Sequence, residues 1–251
     1  WRYESGKWYY LDGTNVDNPG SMAADTIVKV GTQYYCFNKD GVMQSMGWIL
    51  RPEGWYYANA DGSLVLGWRN INGVWYYLDG NNTEHPGLMA DNCVKNIGGS
   101  NFYFAAGGAM RTGWLLYPEG WYYADGSGNL YAGEFKTIKG KKYAFYNDGR
   151  MISGLKFILD NGNDNLTVAA DDDTINFDNE DDFLKNAAEY YEPNGYKCYY
   201  FGGGEDGAMR TGKTSLTFDG ENTNFYFEKS GSTKGAGVNG EKDDKSRKFL
   251  S

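Results

Sequence analysis

GWILRPEGWYYA at residues 47–58 returns as GWLLYPEGWYYA at residues 113–124. Each copy holds two short runs of β-forming residues on either side of a Pro-Glu-Gly turn, the pattern of a β-hairpin. A variant with a different turn opens the chain, where WRYESGKWYYLDG at residues 1–13 matches WRNINGVWYYLDG at residues 68–80. Trp1 and Trp68 lie 67 positions apart and Trp48 and Trp114 lie 66 apart, so one residue is lost between two long repeats. Within each long repeat runs a finer unit of roughly 20–25 residues: a strand, a glycine turn, an aromatic strand and a second turn. Units begin near Trp1, Asp25, Trp48, Trp68, Asp91, Trp114 and Glu134, with another around Tyr196 to Gly212 and one from Lys213 to Gly235. The end from Ala236 reads as an incomplete unit.

A lone hairpin is marginal in water, so these units must stack to bury their aromatic faces. The expected fold is all-β, a solenoid of stacked β-hairpins with about three hairpins per turn. The expected organisation is hairpin repeats over 1–157, an acidic and partly helical insertion over 158–194, and further repeats over 195–251.

Composition agrees with that fold. Aromatics supply 17% of the 251 residues and there are 36 Gly but only 5 Pro, which suits many short strands joined by turns. No apolar run approaches the ~20 residues of a membrane-spanning helix. The chain opens at Trp1 inside the repeat pattern, without a signal-peptide pattern, and reads as part of a longer protein. The net charge of −9 is concentrated in one place: residues 160–192 hold eleven acids against the single base Lys185. The rest is close to neutral, which disfavours a nucleic-acid surface.

Aligning units on their turn glycines exposes two informative positions. One holds Trp8, Gln33, Trp55, Trp75, Asn101, Trp121, Lys142 and Asn224. A position that accepts Gln, Asn and Lys is no dry core position, because burying those groups unpaired costs a few kcal/mol. The next residue is Tyr or Phe throughout, including Tyr34, Tyr76, Phe102 and Tyr143, and reads as packing. On this alignment Cys36 takes the apolar place of Leu11, Leu78 and Phe104. Seven residues before the first position stand Trp1, Thr26, Trp48, Trp68, Val94, Trp114, Phe135 and Thr217. Trp comes and goes at the two positions together, giving the pairs Trp1 with Trp8, Trp48 with Trp55, Trp68 with Trp75 and Trp114 with Trp121. A shared pocket wall explains paired gain and loss, and two angled indoles suit a cation or a sugar ring. The alternative is that each pair packs on itself across its hairpin.

The units GWILRPEGWYYANADGSLVLGW and GWLLYPEGWYYADGSGNLYAGE resemble the cell-wall-binding repeats of choline-binding proteins from Gram-positive bacteria. The Trp-poor FKTIKGKKYAFYNDGRMISG from Phe135 is similar to the related repeats of clostridial toxins and glucan-binding glucosyltransferases. The resemblance implies a hairpin solenoid with ligand sites between successive hairpins, each using a Trp pair, an aromatic of the next hairpin and often a Met. It assigns Trp48 and Trp55 with Trp75 or Tyr77, Trp1 and Trp8 with Tyr35, and Trp68 and Trp75 with Tyr103. For Trp114 and Trp121 the matching partner position is Ala144, a departure from the pattern. Core packing is the expected role for most of the methionines that follow the second turns, Met22, Met43, Met89, Met110, Met151 and Met209. The implied partner is choline on teichoic acid or a glucan-type polysaccharide, outside the cell.

Residues 158–193 interrupt the rhythm. DNEDDFLKNAAEYY is expected to form a short helix capped by Asp178 or Asn179, with Phe183, Ala187 and Tyr190 on one face. The default reading is a solvated acidic insertion; the alternative is calcium binding through Asp160, Asp164, Asp171 and Asp173, although neither DNGNDN nor DDD has EF-hand spacing. Cys36, Cys93 and Cys198 form no repeated disulfide or metal pattern. The single His85 sits in a turn with no accompanying nucleophile, so no catalytic residues are assigned. Two functions remain: a non-catalytic module that holds a secreted protein on a cell wall or polysaccharide, and an adhesion or scaffold module whose acidic segment contacts a protein.

Overall fold

The computed structural model describes residues 1–13, 15–169, 180–218 and 220–238. The chain divides into two compact units, Trp1–Arg111 and Thr112–Ser251. Both are built from antiparallel hairpins.

In the first unit the hairpins are Arg2–Glu4 with Lys7–Tyr9, Thr26–Val30 with Gln33–Phe37, Gly47–Arg51 with Gly54–Ala58, Gly67–Ile71 with Val74–Asp79, and Cys93–Ile97 with Ser100–Phe104. The second unit continues with Gly113–Tyr117 and Gly120–Ala124, Phe135–Ile138 and Lys141–Ala144, Leu155–Gly162 and Lys197–Tyr200, and Gly212–Phe218 and Glu221–Phe227. They are called hairpins one to nine below. The turn Asn72–Gly73 has φ of 53° and 85°, the left-handed pair that matches strand twist, and Asn and Gly are the residues that adopt it most readily.

One hydrogen bond recurs between successive hairpins. The residue after the second turn of one unit donates its backbone N–H to a strand carbonyl of the hairpin before it. Met43 donates to Trp8 at 2.8 Å, Leu64 to Tyr34 at 2.8 Å and Met110 to Trp75 at 2.9 Å in the first unit. In the second unit Met151 donates to Trp121 at 2.6 Å, Met209 to Lys142 at 2.8 Å and Gly237 to Cys198 at 2.7 Å. Sheet-edge groups that would otherwise need water are thus satisfied by the next hairpin. Phe37, Leu78, Phe104, Phe145, Phe201 and Phe227, at the ends of second strands or one residue beyond, are fully buried and form the apolar spine of each unit.

Two features differ from the sequence reading. Hairpin two turns through Gly31–Thr32, with glycine first, whereas hairpins one and four turn through Ser5–Gly6 and Asn72–Gly73, with glycine second. Aligning on glycine therefore slips hairpin two by one residue, and a one-residue slip moves every side chain to the other face. Tyr34 and Ile27, not Gln33 and Thr26, occupy the two Trp positions. Phe37, not Cys36, takes the place of Leu78, and Cys36 remains fully buried on the opposite face.

The hairpin rhythm also does not stop at Ile158. Leu155 to Ile158 pairs with Lys197 to Tyr200, so the acidic segment is inserted at the tip of hairpin eight. The same strand runs on to pair with Asn165–Val168. Helix α1, Glu180–Asn194, then lays Phe183, Ala187 and Tyr190 on the aromatic core of hairpins eight and nine, as their spacing predicts. Phe183 stacks on Phe157 at 5.7 Å and meets Phe225 edge-on at 5.3 Å. The cap positions Asp178 and Asn179 lie outside the described residues. No helix among the described residues is long and apolar enough to cross a membrane.

Candidate ligand sites

Strand alternation gives every hairpin two faces, and the sites follow from which face meets which. In hairpin four Trp68 pairs directly with Tyr77 and Trp75 with Asn70, so Trp68, Trp75 and Tyr77 share one face. Tyr76 and Leu78 point the other way. Within each unit, the Trp face of a hairpin receives the opposite face of the next.

The result is four aromatic boxes of nearly the same dimensions. Trp1 and Trp8 stand at 89° with ring centroids 6.2 Å apart, and Tyr35 closes on Trp1 at 4.8 Å. Trp48 and Trp55 stand at 83° and 6.3 Å, with Tyr76 at 4.9 Å. Trp68 and Trp75 stand at 86° and 6.4 Å, with Phe102 at 4.8 Å. Trp114 and Trp121 stand at 87° and 6.3 Å, with Tyr143 at 4.8 Å. A self-packing pair would cover both rings, yet Trp8, Trp55 and Trp75 remain 44%, 38% and 45% exposed.

The structure brings each expected Trp pair together and sets Tyr35 against Trp1, whereas at the other three boxes the ring that closes on the pair lies one residue from the expected partner. Tyr76 takes the place given to Trp75 or Tyr77, Phe102 the place given to Tyr103, and Tyr143 the place given to Ala144. Tyr77 is buried and packs at 5.2 Å on Trp68 of its own hairpin. Tyr143 completes the Trp114 box, so this site does not depart from the pattern. Tyr76, Phe102 and Tyr143 each follow immediately after the outer Trp position, and alternation alone marks that residue as facing backwards.

Two boxes open as clefts. About 260 Å³ is enclosed by Trp1, Trp8, Tyr35, Met43 and Asp61, and about 300 Å³ by Trp114, Trp121, Tyr143, Met151, Glu205 and Asp206. Met43 and Met151 are set by the inter-hairpin hydrogen bonds to Trp8 and Trp121, so one contact both stacks the hairpins and places the thioether. Met43 and Met151 thus line these clefts, and Met89 packs on Tyr57 and Tyr76 behind the Trp48 box. The carboxylates come from turns further along the chain. Asp61 Oδ1 accepts from the Ser63 N–H at 3.0 Å and hydroxyl at 2.6 Å, which holds its carboxyl below the usual range. Burial, with Asp206 adding to it, raises the Tyr143 phenol.

Two interfaces that lack the Trp pair are filled. Between hairpins two and three, Ile27 and Tyr34 pack with buried Tyr56, whose hydroxyl donates to Glu53 at 3.1 Å beside the Arg51–Glu53 ion pair at 3.1 Å. Burial and that carboxylate push the Tyr56 phenol well above its ordinary value. Between hairpins seven and eight, Phe135 and Lys142 stand at the Trp positions. There Lys142 Nζ lies 4.3 Å over the Phe135 ring and Tyr199 closes on Phe135 at 5.6 Å. An ammonium group of the chain itself occupies this aromatic box.

The remaining expectations concern metal and catalysis. Among the described residues no three His, Cys, Asp or Glu converge as a metal site. Asp160 accepts from Gly162 N–H in the hairpin tip, while Asp171 and Asp173 lie outside the described residues. His85 sits in its turn, donating its backbone N–H to Asn82 at 2.8 Å.

Comparison with known proteins bears on these boxes. Residues 1–14, 53–64, 67–81 and 112–130 match the family described as "Putative cell wall binding repeat". Choline binding protein F of Streptococcus pneumoniae, solved with a peptidoglycan analogue, is 31% identical over 61% of this chain and 52% of its own, with a TM-score of 0.51. A structure of CbpF soaked with ipratropium is 29% identical over 66% of this chain and 58% of its own, with a TM-score of 0.50. Glucosyltransferase-S of Streptococcus mutans serotype c is 26% identical over 62% of this chain. The chain spans 12% of that glucosyltransferase and little more than half of those two structures. Four stretches of the chain thus match a cell wall binding repeat, and the chain is similar to choline binding protein F and to glucosyltransferase-S.

Proposed function

We propose that this chain is a non-catalytic module that holds a secreted protein on a Gram-positive cell surface by seating choline groups of teichoic acid in its Trp boxes. One observation carries the choice of a cation: the sister box at Phe135 is filled by the chain's own Lys142 ammonium, 4.3 Å from the ring centroid. Where Trp121 replaces that lysine at the equivalent position, the space stands open and an external ammonium can take it. Indole and phenol faces attract a quaternary ammonium by about 0.5–2 kcal/mol each, depending on desolvation. The recurring hydrogen bonds support stacking of the hairpins as a solenoid within each unit, with about three hairpins per turn.

A glucan is the second reading, favoured by the similarity to glucosyltransferase-S and by outer indoles exposed enough to stack on a sugar. Following Trp fluorescence while titrating choline and, separately, a soluble glucan distinguishes them. Choline is expected to shift the emission, and Trp55→Ala to reduce the response. A glucan response without a choline response replaces the ligand. Silence to both, with Trp55→Ala leaving cell binding unchanged, removes the mechanism.

A further inference from the structure

The open boxes are not equivalent, and what differs is a charge supplied by a turn further along the chain. At three of the boxes the methionine behind is covered by a glycine of such a turn, where a Cβ would collide with the thioether: Gly62 over Met43, Gly108 over Met89 and Gly207 over Met151. Main-chain contact this close fixes the preceding residue at the rim. That residue is Asp61 for the Trp1 box, Gly107 for the Trp48 box and Asp206 for the Trp114 box. At the self-filled Phe135 box the covering glycine is Gly235 over Met209, and the preceding residue is Lys234. The rim position is thus acidic at two open clefts and basic where Lys142 already occupies the ring; at the Trp48 box it is Gly107, whose N–H donates to the Asp91 carboxylate at 2.8 Å.

At the Trp114 box Asp206 is engaged by Arg210 and stands 4.0 Å from Lys141. Its neighbour Glu205 also lines the cleft, and no cation pairs with it among the described residues. A carboxylate accepts hydrogen bonds, which an ammonium bearing N–H can donate and a fully methylated one cannot. An aromatic face makes no such distinction.

We propose that the rim turn sets amine selectivity, with Glu205, which no cation or N–H engages among the described residues, making the Trp114–Trp121 box accept primary ammonium groups while the Trp48–Trp55 box, whose rim carboxylate Asp91 is held by the Gly107 N–H, selects quaternary ammonium. The inference rests on the reading of the boxes as cation sites and adds a specificity residue to it.

The test uses the whole chain with labelled Trp, following indole N–H resonances of Trp121 and Trp55, assigned through Trp121→Phe and Trp55→Phe. Choline and ethanolamine are the probes. Ethanolamine is expected to approach choline in affinity at Trp121 and to fall clearly behind it at Trp55. Glu205→Gln is expected to weaken ethanolamine about two- to fivefold at Trp121, as befits a solvent-facing charge pair, with choline less affected and Trp55 unchanged. An equal ratio of the two amines at both boxes, or no effect of Glu205→Gln, overturns the proposal. Ethanolamine acting at Trp121 through Glu205 with no choline response anywhere overturns the choline reading and the quaternary selectivity of the Trp48–Trp55 box, and keeps the role of Glu205. Neither amine moving either resonance overturns both.

Discussion

The ring of Tyr76 meets the indole of Trp48 at 4.9 Å and 71°, reaching back from one hairpin to the one before it. Its neighbour Tyr77 points the other way and is 7% exposed, packed on Trp68 of its own hairpin. Two consecutive tyrosines thus serve different sites, and substitution separates them. Tyr76→Ala is expected to weaken ligand at the Trp48–Trp55 box by about 0.5–2 kcal/mol, the scale of one cation–π face. Tyr77→Ala is expected to cost about 3 kcal/mol of folding stability, as for a buried aromatic. Paired calorimetric titration and urea unfolding check both; equal effects of the two substitutions on binding would refute the face assignment.

That relationship also marks where sequence reading stops. The Trp pairs were legible because Trp appears and disappears at two positions together, and helix α1 was legible from the spacing of Phe183, Ala187 and Tyr190. The partners were not, because the identity of Tyr77 says nothing of which way it faces; only its pairing opposite Trp68 does. Hairpin two slipped because its turn glycine comes first, at Gly31. The first leg of hairpin eight was missed because the insertion separates Leu155 from Tyr200, and the two find each other only through long-range pairing.

Removing an outer indole is expected to abolish one box with little effect on the fold. Trp55 is 38% exposed and sits 6.3 Å from Trp48. Trp55→Ala therefore forfeits about 1 kcal/mol of aromatic packing while opening the box. The expected titration shows one fewer choline site, with circular dichroism unchanged. Loss of the folded signal would instead assign Trp55 to the core.

Asp61 makes a pH-dependent contribution whose sign is fixed by Ser63. The two hydrogen bonds from Ser63 lower the folded-state carboxyl below its unfolded value. Ionised Asp61 therefore adds stability above the unfolded pKa, and that contribution is lost as pH falls through the depressed folded value. Cation binding at the Trp1 box should persist into mild acid for the same reason. Ser63→Ala is expected to move the Asp61 carboxyl titration upward in NMR; an unmoved midpoint would mean that the hydroxyl has no hold on it.

Helix α1 is attached through Phe183, which is 7% exposed and touches Phe157 and Phe225. Phe183→Ala is expected to cost about 3–5 kcal/mol through lost burial and the cavity left behind. The denaturation midpoint of the second unit should fall accordingly. A change below about 1 kcal/mol, typical of surface positions, would detach the helix from the core and leave the insertion as a solvated appendage.

Lys142 offers the most direct way to create a site. Its backbone carbonyl accepts from Met209 as the Trp121 carbonyl accepts from Met151, so the two positions are structurally equivalent. Its ammonium stands over Phe135, the place the proposed external cation would take in an open box. Lys142→Ala removes the internal cation but leaves only Phe135 and Tyr199 as walls, too few for tight capture. Lys142→Trp removes the cation and supplies the missing wall at once. Calorimetry should then count one more choline site for Lys142→Trp and no additional tight site for Lys142→Ala. If neither variant changes the stoichiometry while Lys142→Trp remains folded, the Lys142 ammonium is not a stand-in for ligand and the equivalence of the two boxes fails.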